Sequence, residues 1–334
     1  IITDSNISRN TGAELGSGLT IANTSKPVTI NNVEFSDNKA GGGGAIYGWY
    51  TNEVSMKNVT FKNNTANQHE GGAILINGSG EDKVYIDSTT FIANVDSTGP
   101  GGAIQLSNIA KASIKNSIFK ENKAKNDGGG ISSWNTDSLF IDNSNFVDNE
   151  SNDNGGAING HNGSLDILNS NFSNNECGNQ GGAIRYRNGP LNIFNSSFKY
   201  NKSIEGNTGA VDFAKNDDSQ ISNLSITQSD FIGNTSNRFV GALRAKRADS
   251  TWIKHTVFDS NEVETWGGAA EIGSSKYLEI DSSTITNNMA NGNAAGLTVG
   301  DIGEGIIKNS IFANNIMKDA DADTSFGGGL TLWG

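Results

Sequence analysis

Phe61-Lys62-Asn63-Asn64, followed after a short loop by Gly71-Gly72-Ala73-Ile74, decides the fold, because both halves of this stretch return along the whole chain. The Phe61 position recurs as Ile7, Phe35, Phe91, Phe119, Phe146, Phe172, Phe198, Phe231, Phe258, Ile285 and Phe312, at a mean spacing of about 28 residues. Three positions after each stands an asparagine: Asn10, Asn38, Asn64, Asn94, Asn122, Asn149, Asn175, Asn201, Asn234, Asn261, Asn288 and Asn315. Five positions before each stands another apolar residue, from Ile2, Ile30 and Met56 to Ile280 and Ile307. The glycine block recurs at 43–46, 101–104, 155–158 and 181–184, and in looser form as Gly129-Gly130-Ile131, Gly241-Ala242-Leu243 and Gly328-Gly329-Leu330.

A unit of this size, built from short alternating apolar and polar runs, cannot bury a core alone. Stacked units share one interior. Columns of Phe and Ile become inward ladders, and asparagines repeated at the strand spacing of about 4.8 Å hydrogen-bond amide to amide. Glycines supply the positive φ of tight corners. Parallel strands joined by crossovers are almost always right-handed. The pattern therefore predicts an all-β chain forming a right-handed, single-stranded parallel β-helix of about twelve coils. Nearest-neighbour stacking from end to end predicts one domain over residues 1–334.

Composition agrees with a folded chain: 334 residues, 34% hydrophobic, 42 glycines and three prolines. A net charge of −12 argues against non-specific nucleic-acid binding, which needs positive surface to displace phosphate counterions. No run of eighteen apolar residues marks a membrane-spanning helix. Cys177 is the only cysteine, so there is no disulfide framework. The opening on Ile1 and the stop at Trp333-Gly334, part-way through a repeat, predict a fragment covalently continuous with further modules at both ends.

Paired motifs such as Phe61-Lys62-Asn63-Asn64 and Gly71-Gly72-Ala73-Ile74 resemble the repeats of chlamydial polymorphic membrane proteins and of adhesin-like surface proteins of other microbes. The resemblance covers nearly the whole chain. It implies a secreted or cell-surface β-helix, similar to an autotransporter passenger, that contacts host cells, neighbouring cells or glycans. It carries over no catalytic residues. Similar helices also bear polysaccharide lyases and hydrolases, so fold alone does not decide activity.

The Phe and Asn columns read as structural ladders, since a site has no use for a copy in every coil. The Asn-x-Ser/Thr triplets at Asn58, Asn77, Asn162, Asn171 and Asn223 are as frequent as an Asn- and Ser-rich chain produces by chance. His69, His161 and His255 fall in different coils, with no nucleophile elbow and no phosphate-binding glycine loop. Asp319, Asp321 and Asp323 place carboxylates at alternate positions, as in the start of a calcium loop, but the later glycine and closing glutamate are missing. Calcium there would stabilise rather than catalyse, and no other cofactor is expected.

Alternation along the strand after each glycine corner puts Ile inward and the next residue outward. The outward positions include Tyr47, Trp49, Trp134 and His161, then Arg185, Arg187, Asp212, Arg244, Lys246 and Glu271. The last six predict a mixed-charge stripe on an otherwise acidic protein. Two functions compete for this face. A binding module would stack sugar rings or apolar groups on the aromatic residues and grip carboxylates or sulfates with the arginines. A polysaccharide lyase would need a cation or metal on the substrate carboxylate and a base of lowered pKa, for which Lys246 or Arg244 are candidates. Only Asp212 and Glu271 stand ready to hold a metal. The expectation is therefore an adhesin-like module that binds a surface glycan or protein without catalysis, with inter-coil salt bridging as the plain alternative for the stripe.

Overall fold

The computed structural model describes residues 1–216, 219–292, 294–318 and 327–334. Its elements are all β-strands, about twelve coils of them, and the pairings between successive coils are parallel. The chain divides into two compact units, Ile1–Asp166 and Ile167–Gly334.

In the first unit, Ile46–Trp49 pairs with Ile74–Asn77, which pairs with Ile104–Lys115, then Ile131–Asp142, then Ile158–His161. The register places each residue of a repeat over its equivalent. Phe35, Phe61, Phe91, Phe119 and Phe146 accordingly form a fully buried pile, with ring centroids 5.0, 4.9, 4.6 and 4.6 Å apart and nearly parallel planes. The asparagine ladder is more complete than amide-to-amide stacking requires. Asn94 Nδ2 donates to Asn122 Oδ1 at 2.9 Å and to the Phe61 carbonyl at 3.0 Å, while its Oδ1 accepts from Asn64 Nδ2 and Asn64 N at 2.9 and 3.0 Å. Both donors and both lone pairs of a buried amide are thus used, which is the condition for burying it without loss.

The second unit repeats this plan. Ile184–Arg187, Val211–Ala214, Leu243–Lys246, Ala270–Gly273, Leu297–Gly300 and Leu330–Trp333 pair in succession. Phe172, Phe198, Phe231 and Phe258 stack at 4.8 Å throughout. Asn175, Asn201, Asn234, Asn261, Asn288 and Asn315 are joined side chain to side chain at 2.9 Å per step.

Glycine accounts for only part of the corner geometry. Gly71 has φ +73°, and a Cβ on Gly72 would run into the Gly102 carbonyl of the next coil. The turn just before a ladder asparagine uses non-glycine residues in the left-handed region at most coils, among them Asp37, Asn63, Ala93, Glu121 and Asp148 at φ 52–56°, with Gly233 an exception. Asn and Asp tolerate that region best. The ladder bonds of the next residue hold Ala93 and Glu121 there as well.

A second, small-residue ladder runs through the two-residue strands of the first unit: Ala40, Ala66, Asp96, Ala124 and Ser151. Asp96 is the anomaly in it, a carboxylate 1% exposed. Its Oδ1 accepts from Gly99 N at 2.7 Å and Thr98 N at 3.0 Å, and its Oδ2 has no hydrogen-bond partner. Burial raises its pKa to about 6, against the pull of those backbone donors. A folded pKa above the unfolded value of 3.8 means that Asp96 favours the fold while protonated, and that this contribution is lost as pH rises from about 4 through 6. Asp96→Asn is therefore expected to stabilise the protein by roughly 2–3 kcal/mol at pH 7.5 and to change little at pH 4. Urea melts of both proteins at the two pH values measure this, and equal effects at both would refute the burial argument.

Candidate functional site

The sequence pattern puts the candidate residues at the second and fourth positions of the strand after the glycine corner, and the structure separates these two positions. Several second-position side chains lie under the preceding corner: Tyr47, Leu75, Gln105, Ser132, Asn159 and Asp212 are buried, whereas Arg185, Arg244 and Glu271 at the same position are partly exposed. Leu75 shows the cause, with its side chain packed beside Gly42 and Gly43 of the neighbouring coil. Fourth-position side chains reach solvent more readily. Trp49 is 43% exposed, and Trp134 is exposed as well. Outward pointing is thus not the same as accessible, a correction that bears on Tyr47, Arg187 and Asp212.

In the first unit, Tyr47, Trp49 and Tyr50 form an aromatic corner, with Trp49 meeting Tyr47 edge-on at 6.3 Å and Tyr50 edge-on at 5.3 Å. Beside it lies a cavity of about 510 Å³ whose walls include Tyr47, Trp49, His69, Glu70, Leu75 and Asn77. Burial raises the pKa of Tyr47, opposed by its hydrogen bond with Asn77. Burial likewise raises that of Glu70, opposed by the neighbouring His69. His69 and Glu70 come from the variable loop before the glycines, where no repeat position marks them. Three coils further along the Trp49 column, Trp134 stacks on His161 at 4.3 Å with planes 10° apart.

In the second unit, Arg185, Asp212, Arg244 and Glu271 occupy one register column with alternating sign. The charges close on one another. Arg187, only 4% exposed, pairs with the Asp212 carboxylate, donates to the Asp212 carbonyl at 3.0 Å and donates to Gln180 Oε1 at 2.7 Å. Arg185 Nε also donates to Gln180 Oε1, at 3.3 Å. Arg244 lies 3.6 Å from Asp212 and 3.3 Å from Glu271, and Lys246 pairs with Glu271. Burial is the largest influence on Asp212 and opposes its ionisation. Arg187, Arg244 and the Thr208 hydroxyl at 2.8 Å together outweigh it and hold the pKa below the ordinary carboxylate value.

Asp319, Asp321 and Asp323 lie outside the described residues. Among the described residues no group of three His, Cys, Asp or Glu side chains is placed to hold a metal ion, and no helix is long and apolar enough to cross a membrane.

The ladder geometry and the aromatic corner meet in residues 32–77, which include two of three segments similar to a known repeat. Residues 32–48, 58–77 and 116–133 match the Chlamydia polymorphic membrane protein repeat. Each matched segment contains a Phe- or Asn-ladder position, a glycine corner or both, so the polymorphic membrane protein repeat corresponds here to one coil wall with its turn. Tyr47 and Asn77 fall within matched segments, while Trp49 stands one residue beyond the first. No curated protein and no solved structure significantly matches the chain.

Proposed function

We propose that this chain is the surface-displayed, adhesin-like β-helix of a secreted or cell-surface protein, which binds an acidic glycan or an acidic protein surface without cleaving it. One observation carries the reading: coils that match a polymorphic membrane protein repeat carry an aromatic corner, exposed Trp49 and Tyr50 with buried Tyr47, beside a cavity of mixed polar and apolar lining. Solvent-exposed tryptophan has no role in the core, and aromatic side chains with polar neighbours are what interfaces use. The preference for an acidic partner rests on the second unit. There Arg185, Arg244 and Lys246 are the partly exposed cations of a stripe shared with Asp212 and Glu271, on a chain of net charge −12.

Support for binding rather than elimination comes from Lys246 and Arg244, the candidate bases of a lyase, which are both engaged with Glu271. The test is retention on a glycan array and on acidic protein surfaces. Trp49→Ala combined with Trp134→Ala is expected to reduce retention at least tenfold with an unchanged circular dichroism spectrum. Retention should also fall as salt is raised from about 0.05 to 0.5 M, because exposed ion contacts are screened over about 8 Å at physiological ionic strength. Retention untouched by both the substitutions and salt would remove this reading.

A further inference from the structure

The fourth-position column of the second unit runs Lys246, Gly273, Gly300, Trp333 over successive coils. Neither glycine is required by its backbone, for neither has a positive φ. Nor is either required by packing. A Cβ on Gly300 would meet only the Trp333 side chain, at an ordinary 3.5 Å, and one on Gly273 would meet the flexible end of Lys246 at 3.0 Å. Glycine inside a strand weakens it, and it is kept where something must approach the backbone closely. Over these two rungs lies a cavity of about 390 Å³, bounded by Lys246 and Glu271 on one side and Trp333 on the other, with Trp266, Phe239 and Asp301 completing the wall. Trp266 is 47% exposed and Trp333 is also exposed, so two indole groups border a groove in which the Lys246 side chain lies over Gly273 and that of Trp333 lies beside Gly300.

We infer that this groove is a carbohydrate subsite for one or two neutral hexopyranose units. A cavity of about 390 Å³ suits a short saccharide segment rather than a large cofactor. Indole groups at the rim receive the apolar C–H face of a pyranose, while carboxylates, an ammonium and a hydroxyl accept from or donate to its hydroxyls. The charge balance selects the class. Among the described residues Lys246 is the one cation in the wall and is engaged with Glu271, leaving Asp301 to repel a uronate or sulfate. This site borders the charged stripe at Lys246 and Glu271 but takes a neutral ligand on its indole groups, so either reading stands if the other fails.

The experiment follows tryptophan fluorescence of the whole chain during titration with cellotriose, mannotriose, maltotriose and, as the acidic arm, a hyaluronan tetrasaccharide. Saturable binding of at least one neutral trisaccharide is expected, weakened at least tenfold by Gly300→Leu, which fills the floor. Trp266→Ala, at an exposed loop position, gives the same test without altering a strand. Saturable binding of none of the neutral sugars, binding of the acidic one alone, or neutral binding unchanged in both variants would each overturn the assignment.

Discussion

Asp212→Ala is expected to cost about 3–5 kcal/mol of stability, far more than a surface salt bridge is worth, because it strands the Arg187 guanidinium inside the protein. Asp212 is 1% exposed and meets Arg187, Arg244 and Thr208 at once, so no water takes its place without disturbing the coil. Removing both charges has a different outcome. Arg187→Met with Asp212→Leu is expected to recover most of the loss, since buried ion pairs contribute little over apolar residues of similar volume. The sign with pH follows from the lowered pKa of Asp212. Its contribution is present above the ordinary carboxylate range and is lost as pH falls through the depressed folded value, so the variant should differ least from the parent in strong acid. Urea midpoints of the single and double variants measure this, and a single-variant loss below about 1 kcal/mol would mean that Arg187 finds water.

Phe91→Ala is expected to cost a comparable ~3–5 kcal/mol. Its ring lies between Phe61 at 4.9 Å and Phe119 at 4.6 Å, both fully buried, and the gap left by its loss cannot close without shifting a coil whose strands are pinned on both sides. A loss under about 1 kcal/mol would show that this column is not a packed ladder.

These two residues also mark how far the sequence can be read. Phe91 is legible because stacking forces the same inward position in every coil, so one-dimensional repetition reports directly on three-dimensional burial. The asparagine column is legible for the same reason, although its full use of carbonyls from the preceding coil, as between Asn94 and Phe61, requires the turn geometry. Asp212 and Arg187 are legible as a charged pair on an outward column but not as buried. Their burial depends on Gln180 and on corners that vary from coil to coil, where no repeat constrains the chain. Asp96 is hidden for a related reason: its ladder of two-residue strands is too short to announce a direction. Gly273 and Gly300 read as ordinary glycines until the φ angles show that neither the turn nor the packing asks for them. In each case the repeat fixes the interior, while the features suited to binding sit where a coil departs from it.

The proposal that this chain binds without cleaving is tested most directly by incubating it with alginate, pectate and chondroitin, and following retention on each polymer together with the absorbance of unsaturated product. Retention that weakens with salt and no rise in absorbance is the predicted result. A rise in absorbance that disappears in Lys246→Ala would contradict it and make the charged stripe of the second unit the active site of a lyase.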